Sequence, residues 1–272
     1  MTVINIDMKK ITILVIAVCF NLSLLAAQEL KESVTPITLD RSVLSGVGLE
    51  KIDLKDEPEK DFYQKNLFWG KELGVFVVGT ETWTNTIDDY PFDEFIYMYN
   101  GEAIVKPIEG AAQVFYSGDY FFAPKGFDGE WEVKGNHQIH YELSVITTKR
   151  ADSSRIIKNA DHKLFQKSML TGNSVVLDDK GYYEETLQKG AELTVKFIGE
   201  KIGQRRLHET NKEQLIHILS GRVKIINSGA HEFTYYAGDF FVLPNGVSGM
   251  WQNDGHNLVK YLSVEKTMAE KG

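Results

Sequence analysis

The sequence predicts an all-β protein built from two copies of one small sandwich or barrel, with little helix, and three observations carry that expectation. First, GDYFFAPKGFDGEW at residues 118–131 returns as GDFFVLPNGVSGMW at 238–251, 120 residues later. Second, the match extends at the same offset from Glu72 to Tyr141 without a gap: Glu72, Leu73, Val75, Gly79 and Gly101 meet Glu192, Leu193, Val195, Gly199 and Gly221, and Tyr141 meets Tyr261. Third, apolar runs such as LGVFVV (73–78), FIYMY (95–99) and QVFY (113–116) are four to six residues long. They are separated by Asn100-Gly101, Ser117-Gly118 and Pro124-Lys125-Gly126, the turn punctuation of an all-β domain. Two units of this length are duplicated domains, since a solenoid stacks three or more shorter repeats.

Taken from the N-terminus, Met8-Lys9-Lys10 and the apolar run ITILVIAVCF (11–20), followed by Ala26 and Ala27, have the layout of a signal peptide over residues 1–27. The run is short for a membrane span and is interrupted by Asn21 and Ser23. Cleavage near Ala27-Gln28 would give a periplasmic or secreted chain with no membrane contact afterwards. It would also remove Cys19, the single cysteine, so disulfides play no part in the mature fold. Residues 28 to about 40, charged, containing Ser and Thr and without a strand period, read as a mobile lead into the first barrel. The two domains are then 28–150 and 151–272, a length that suits two cores of ordinary size. Residues 151–170 hold the one stretch that reads as helix or linker.

Composition narrows the functional classes. With 43% hydrophobic and 25% charged residues, the chain is an ordinary globular protein, and a net charge of −8 without a basic stripe excludes nucleic acid as a natural partner. No phosphate-cradling glycine loop, zinc-protease helix or nucleophile elbow is present. Gly118-Asp119 and Gly238-Asp239 read as tight turns closed by the Asp side chain, and Pro124-x-Gly126 and Pro244-x-Gly246 as strand breaks.

The order Glu94, Gly101, Gly118, Pro124, Gly126, repeated as Gly221, Gly238, Pro244, Gly246, resembles the two motifs of the cupins. The endings Gly129-x-Trp131 and Gly249-x-Trp251 are similar to the branch grouped with ureidoglycine aminohydrolase. The resemblance spans about residues 70–147 and 190–265 and implies a bicupin, two jelly-roll barrels each closed over a cavity. It also implies a metal held by three His and a Glu. Carried over position by position, that set falls on Asp88, Tyr90, Glu94 and Gly129 in the first copy. In the second it falls on His208, Thr210, Gln214 and Gly249. Neither copy carries the usual ligands, nor the variant set of ureidoglycine aminohydrolase, so no metal cofactor is expected, although a divalent ion is the family's habit.

The candidate ligand-binding residues are therefore Asp88, Tyr90, Glu94 and Trp131 in the first cavity, and His208, Gln214 and Trp251 in the second. Glu94 shares its strand face with Ile96 and Met98 by two-residue alternation, where a carboxylate is costly unless paired or protonated. The first cavity thus reads as charged and the second as neutral. His137, His140, His217 and His256 read as structural or surface residues. The leading expectation is an exported bicupin that binds a small polar organic molecule without metal. The alternative is a metal-dependent hydrolase, lyase or isomerase on a small polar acid, ureide or sugar; whether the chain catalyses anything is left open. A third is a structural or assembly protein with its cavities filled by Phe, Tyr and Trp side chains; a homo-oligomer is compatible with all three.

Overall fold

A computed structural model describes residues 33–53, 59–137, 139–149, 162–165, 170 and 175–268, with the side chains of 255–257 excepted. The signal-peptide reading of 1–27 and the placement of His256 lie outside these residues. The described elements are β1 (Ile37–Thr38), α1 (Arg41–Leu44), β2 (Glu50–Lys51), β3 (Phe62–Trp69), β4 (Leu73–Thr80), β5 (Trp83–Ile87), β6 (Glu94–Asn100), β7 (Glu102–Pro107), β8 (Gln113–Tyr116), β9 (Tyr120–Ala123), β10 (Gly129–Lys134), β11 (His140–Thr147), β12 (Lys163–Phe165), β13 (Tyr182–Lys189), β14 (Leu193–Leu207), β15 (Gln214–Ser220), β16 (Arg222–Asn227), β17 (Glu232–Tyr236), β18 (Phe240–Leu243) and β19 (Gly249–Lys266). They form two tandem jelly-roll barrels, and no helix among the described residues is long and apolar enough to cross a membrane.

The first barrel is made of a seven-stranded sheet, β12-β9-β6-β11-β4-β3-β2, and a four-stranded sheet, β5-β10-β7-β8. In the second barrel the counterparts of β4 and β5 run on as one long β14, and those of β10 and β11 as one long β19, so all eight strands belong to one curled sheet. The turns behave as the motifs require: Asp119 Oδ2 accepts from Tyr116 N at 2.8 Å, and Asp239 Oδ2 from Tyr236 N at 2.7 Å.

Alternation along the strands gives two opposite faces, and in central strands such as β4, β9 and β18 both are buried. Leu73, Val75 and Val77 of β4, with Phe95 of β6, point into a core that also takes Leu193, Val195, Phe197 and Leu215 from the second repeat. This shared core lies between the barrels, and the alternate residues Phe76, Val78, Thr80 and Glu94 turn into the first cavity. His217 belongs to the shared core, stacked on Phe240 at 3.6 Å with Nδ1 3.0 Å from the Tyr120 hydroxyl.

A reciprocal clasp closes the edge of this core. Asp93 accepts from the backbone N–H groups of Glu192 (2.6 Å), Leu193 (3.1 Å) and Lys125 (2.9 Å). Its counterpart in the other repeat, Glu213, accepts from Lys71 (2.8 Å), Glu72 (2.9 Å) and Leu73 (2.9 Å). Each carboxylate thus satisfies donors at the start of the other repeat's β4 or β14, and Asp93 takes Lys125 N of its own repeat besides. A Cβ on Gly190 or Gly70 would sit 2.2 Å from the Asp93 or Glu213 carboxylate, so both positions require glycine. The buried pair Lys125 Nζ–Glu192 Oε1, at 2.6 Å, completes one side.

Three expectations are corrected here. Residues from Val34 are not a mobile lead into the first barrel: β1 pairs with β18 of the second barrel, Leu39 is buried in the shared core, and Asp40 caps α1 by accepting from Ser42 N. Apolar Ile37 and Leu39, set among polar residues, supply the burial that composition alone obscured. The repeat is not gapless either. Glu142 lies opposite Val78 while Tyr261 lies opposite Ile198, so the last strand of the second copy is one residue short and Tyr141 corresponds to Lys260. Finally, Lys163–Phe165, inside the stretch read as helix or linker, is a strand that pairs with β9; the rest of that stretch, apart from His162 and Leu170, lies outside the described residues.

Replacing Asp93 by Ala would strand three buried N–H groups. We expect a loss of roughly 3 kcal/mol in urea unfolding, without a change in the cavity side chains.

Candidate functional site

The first cavity, about 330 Å³, opens between β3–β6 and β10–β11. Its walls are mainly apolar and aromatic, with Phe62, Phe76, Trp83, Phe92 and Trp131 among them, and its polar groups converge on one side. Glu94, the first residue of β6, is 5% exposed, and its Oε2 takes a short hydrogen bond from the Tyr90 hydroxyl. Tyr90 is not on a strand: it sits in the loop before β6, pinned by backbone bonds to Phe127 and Gly126 and by ring contacts with Phe92 (5.0 Å) and Trp131 (5.6 Å). From β11, His140 and Glu142 face the same space, with His140 Nε2 and Glu142 Oε2 2.7 Å apart. With Nε2–H donating to Glu142, Nδ1 is left as a buried lone pair without a partner among the described residues.

Burial pushes the Glu94 carboxyl up to about 7, and the negative charge of Glu142 adds to the shift. Burial also raises the Tyr90 phenol well above its ordinary value, so the phenol stays protonated and donates. The site therefore holds a carboxyl that at neutral pH can either donate or accept a hydrogen bond, set against flat apolar surfaces.

The second cavity, about 320 Å³, has a different character. Lys196, Ile198 and Glu200 of β14 replace Phe76, Val78 and Thr80 on the inward face. Lys196 Nζ lies 2.9 Å from Glu184 Oε1 and 3.2 Å from Glu265 Oε1, and Lys212 Nζ contacts Glu265 Oε2 closely. Glu200 accepts from Tyr261 (2.7 Å) and Asn253 (2.6 Å) and is paired with Arg205 (3.3 Å), whose guanidinium lies 4.6 Å over Trp251. Gln214 points inward as expected and donates to Ser263 (3.0 Å) and Glu265 (2.9 Å).

Of the residues expected in the cavities, Tyr90, Glu94 and Trp131 share the first, and Gln214 and Trp251 the second. Asp88 and His208 are exposed and line neither. Each lies one residue beyond the end of its strand, β5 or β14, so the inward alternation does not reach it. The neutral second cavity is also corrected: it carries three cations and three carboxylates. His140, read as structural, and Glu142 were missed in the first, although His140-x-Glu142 has the two-residue spacing that places both on one strand face. Lys196-x-Ile198-x-Glu200 offered the same signal in the second.

The metal implied by the family resemblance does not fit the side chains present. A Cβ on Gly129 would fall 2.2 Å from the Lys106 carbonyl oxygen, and one on Gly249 2.1 Å from that of Ile226, so neither position can carry a ligand without a backbone shift. Asp88 and His208 face solvent, and among the described residues no three His, Cys, Asp or Glu are grouped to hold an ion.

Residues 71–141 and 187–261 each match the EutQ-like cupin domain. Among solved structures, a Pseudomonas syringae pv. tomato protein of unknown function is similar at 15% identity and a TM-score of 0.62, with 85% of this chain and 99% of that chain covered. A putative glyoxylate-induced protein from Pseudomonas aeruginosa is similar at 13% identity and a TM-score of 0.58, covering 86% and 90%. A cupin 2 conserved barrel domain protein from Leptotrichia buccalis is similar at 13% identity and 0.57, covering 88% and 100%. No curated protein matches the chain. At these identities the structural likeness establishes the fold alone.

Because Glu94 is raised from 4.5 to about 7, it holds more protons folded than unfolded between those values. Stability is therefore lost as pH rises through that window. Glu94→Gln removes the loss: we expect the variant to be more stable than the parent by about 3 kcal/mol at pH 8, and equal to it below pH 4.5, in urea melts across pH.

Proposed function

Since the chain belongs to the cupin superfamily, with two EutQ-like cupin domains in tandem, we propose that it is an exported bicupin that holds a small organic molecule in its first barrel. The observation that carries this reading is the buried Glu94 carboxyl, poised at about 7 in an otherwise apolar cavity. A carboxyl kept half-neutral costs stability, and a fold that only needed to fill the barrel would place an apolar side chain there. The cavity lies in the size range of small-molecule sites, with aromatic walls and a few convergent polar groups. Its best occupant has a flat apolar body and one polar end that can accept a hydrogen bond from neutral Glu94. Export rests on the leader layout of residues 1–27.

The same geometry favours one further reading, proton transfer. A carboxyl near neutrality, hydrogen-bonded to Tyr90 and electrostatically coupled to the Glu142–His140 pair, has the properties of a general acid or base. Neither reading draws on a bound metal. Protein purified without a His-tag is expected to carry well under one zinc, manganese, iron or nickel per chain, by elemental analysis. A tightly held equivalent removed by His208→Ala or Glu94→Gln would reverse this.

Binding is tested with benzamide as the probe, by thermal shift and calorimetry on the mature chain. A neutral carbonyl should bind best while Glu94 is protonated, so affinity is expected to fall as pH rises through about 7. In Glu94→Gln that dependence should vanish, and Trp131→Ala should weaken binding roughly tenfold. Binding that ignores both substitutions would place the ligand elsewhere.

A further inference from the structure

The charges of the first cavity do not balance. Among the described residues no Lys or Arg lines it, whereas Lys196, Arg205 and Lys212 all line the second. Two carboxylates face the space, Glu94 and Glu142, and His140 is the one lining group able to turn positive. With His140 neutral and donating to Glu142, the lining is net negative. With His140 protonated, that pair cancels and Glu94 remains, so neither state makes the cavity positive. Both carboxylates are buried, with Glu94 5% exposed and the Glu142 side chain 11%, and water screens them little. Their acceptors are also unspent. Glu94 Oε2 accepts from Tyr90 and Glu142 Oε2 from His140, while Oε1 of each carboxylate has no hydrogen bond of ordinary geometry among the described residues. The rest of the lining is rich in rings, those of Phe62, Phe76, Trp83, Tyr90, Phe92 and Trp131, whose π faces attract positive charge. Repulsion by Glu142 helps to hold the Glu94 pKa at about 7; a cation in the cavity offsets that repulsion, and a neutral molecule of the same shape does not.

We propose that the first barrel also binds small organic cations, a primary ammonium on a flat apolar body, with the ammonium held by Glu94 and Glu142 and the body against the aromatic walls. An ammonium supplies three N–H donors and no acceptor, which matches two carboxylates with oxygens to spare. The inference rests on the reading of this barrel as a small-molecule site and adds a ligand class to it. Protonated Glu94 donates to a carbonyl; ionised Glu94 accepts from an ammonium. The two classes therefore respond to pH in opposite senses. The titratable groups facing Glu94 are Tyr90 from its own loop and His140 and Glu142 from β11, where Ser144 also favours the ionised form. The cavity faces of β3, β4, β5 and β10 add only the neutral polar groups of Gln64, Thr80 and Asn85 to apolar and aromatic side chains. Protonation of His140 would oppose a bound cation, in the same sense as protonation of Glu94.

The test uses benzylamine and its neutral isostere benzyl alcohol as probes with the mature chain, by calorimetry at low ionic strength. Benzylamine is expected to bind saturably with one site per chain, and roughly tenfold more tightly at pH 8 than at pH 6, as the ionised fraction of Glu94 rises. At pH 8 benzyl alcohol should bind roughly tenfold more weakly or worse. Glu94→Gln and Glu142→Gln should each weaken benzylamine roughly tenfold. Asp88→Asn removes an exposed carboxylate outside the cavity and should leave it unchanged. The proposal is overturned by absence of benzylamine binding to the parent protein, by equal binding of benzyl alcohol, by an affinity that falls between pH 6 and pH 8, by full affinity in Glu94→Gln, or by loss in Asp88→Asn. Should Glu142→Gln fail to fold, Glu94→Gln decides alone, since that variant is expected to be more stable than the parent at pH 8. Benzamide separates this inference from the reading beneath it: benzylamine failing where benzamide binds removes the cation class alone, and failure of both removes the site.

Discussion

Everything in this structure depends on strands that are buried on both faces. Because the two barrels share one core, the odd-numbered residues of β4 are committed to the other repeat, and the even-numbered ones have nowhere to go but the cavity. The same holds for β14. A one-residue slip in β14 would drive Glu200 and Lys196 into an apolar interface and bring Val195 and Phe197 into the cavity. The shared core therefore fixes the register of the strands that carry the site residues, and its apolar area outweighs the cost of burying polar groups on the opposite face.

Asp93 and Glu94 show how finely that division acts. They are neighbours in sequence and both are buried, yet they face opposite ways. Asp93 receives three backbone N–H bonds, two of them from the other repeat, and although burial still raises its pKa, those bonds oppose the shift. Glu94 receives one from a tyrosine and faces another carboxylate, so burial and repulsion carry it to about 7. One residue holds the repeats together, and the fold leaves the charge of the next poorly compensated. His162 illustrates the same economy in the opposite sense. It enters the first barrel just before β12, among Phe115, Phe121, Phe127 and Trp131, with neither ring nitrogen partnered among the described residues, and burial holds its pKa down to about 3. It behaves as a neutral ring that fills space.

What the sequence made legible follows from which interactions are local. The turns at Gly118-Asp119 and Gly238-Asp239, the duplication and the all-β class rest on contacts a few residues apart, and all are present as expected. The inward side of β6 and β15 was also readable, because alternation within one strand needs no tertiary knowledge: Glu94 and Gln214 both face their cavities, opposite Ala123 and Leu243. Asp88 and His208 went wrong because the family motif was carried onto positions that here lie one residue past the ends of β5 and β14. His140 and Glu142 were hidden because their importance lies in what stands across the barrel, Glu94 and Tyr90, far away in sequence. β1 and β12 were hidden for a related reason. Each pairs with a sheet that the chain order assigns to the other half, and two- and three-residue strands carry no period to read.

The divergence of the two copies follows the same two-faced logic. On the shared-core face the repeats agree in kind, Leu73 with Leu193, Val75 with Val195, Val77 with Phe197 and Phe95 with Leu215, because every one of these side chains must satisfy a partner in the other copy. On the cavity face no such partner exists. There Phe76 stands against Lys196, Thr80 against Glu200 and Glu94 against Gln214, and the shortened last strand sets Tyr261 where the first barrel has Glu142. Mutual packing restrains one side of each strand and leaves the other free to acquire its own chemistry. A duplicated barrel built in this way can hold one interface constant while its two cavities come to differ in charge, polarity and the ligands they suit.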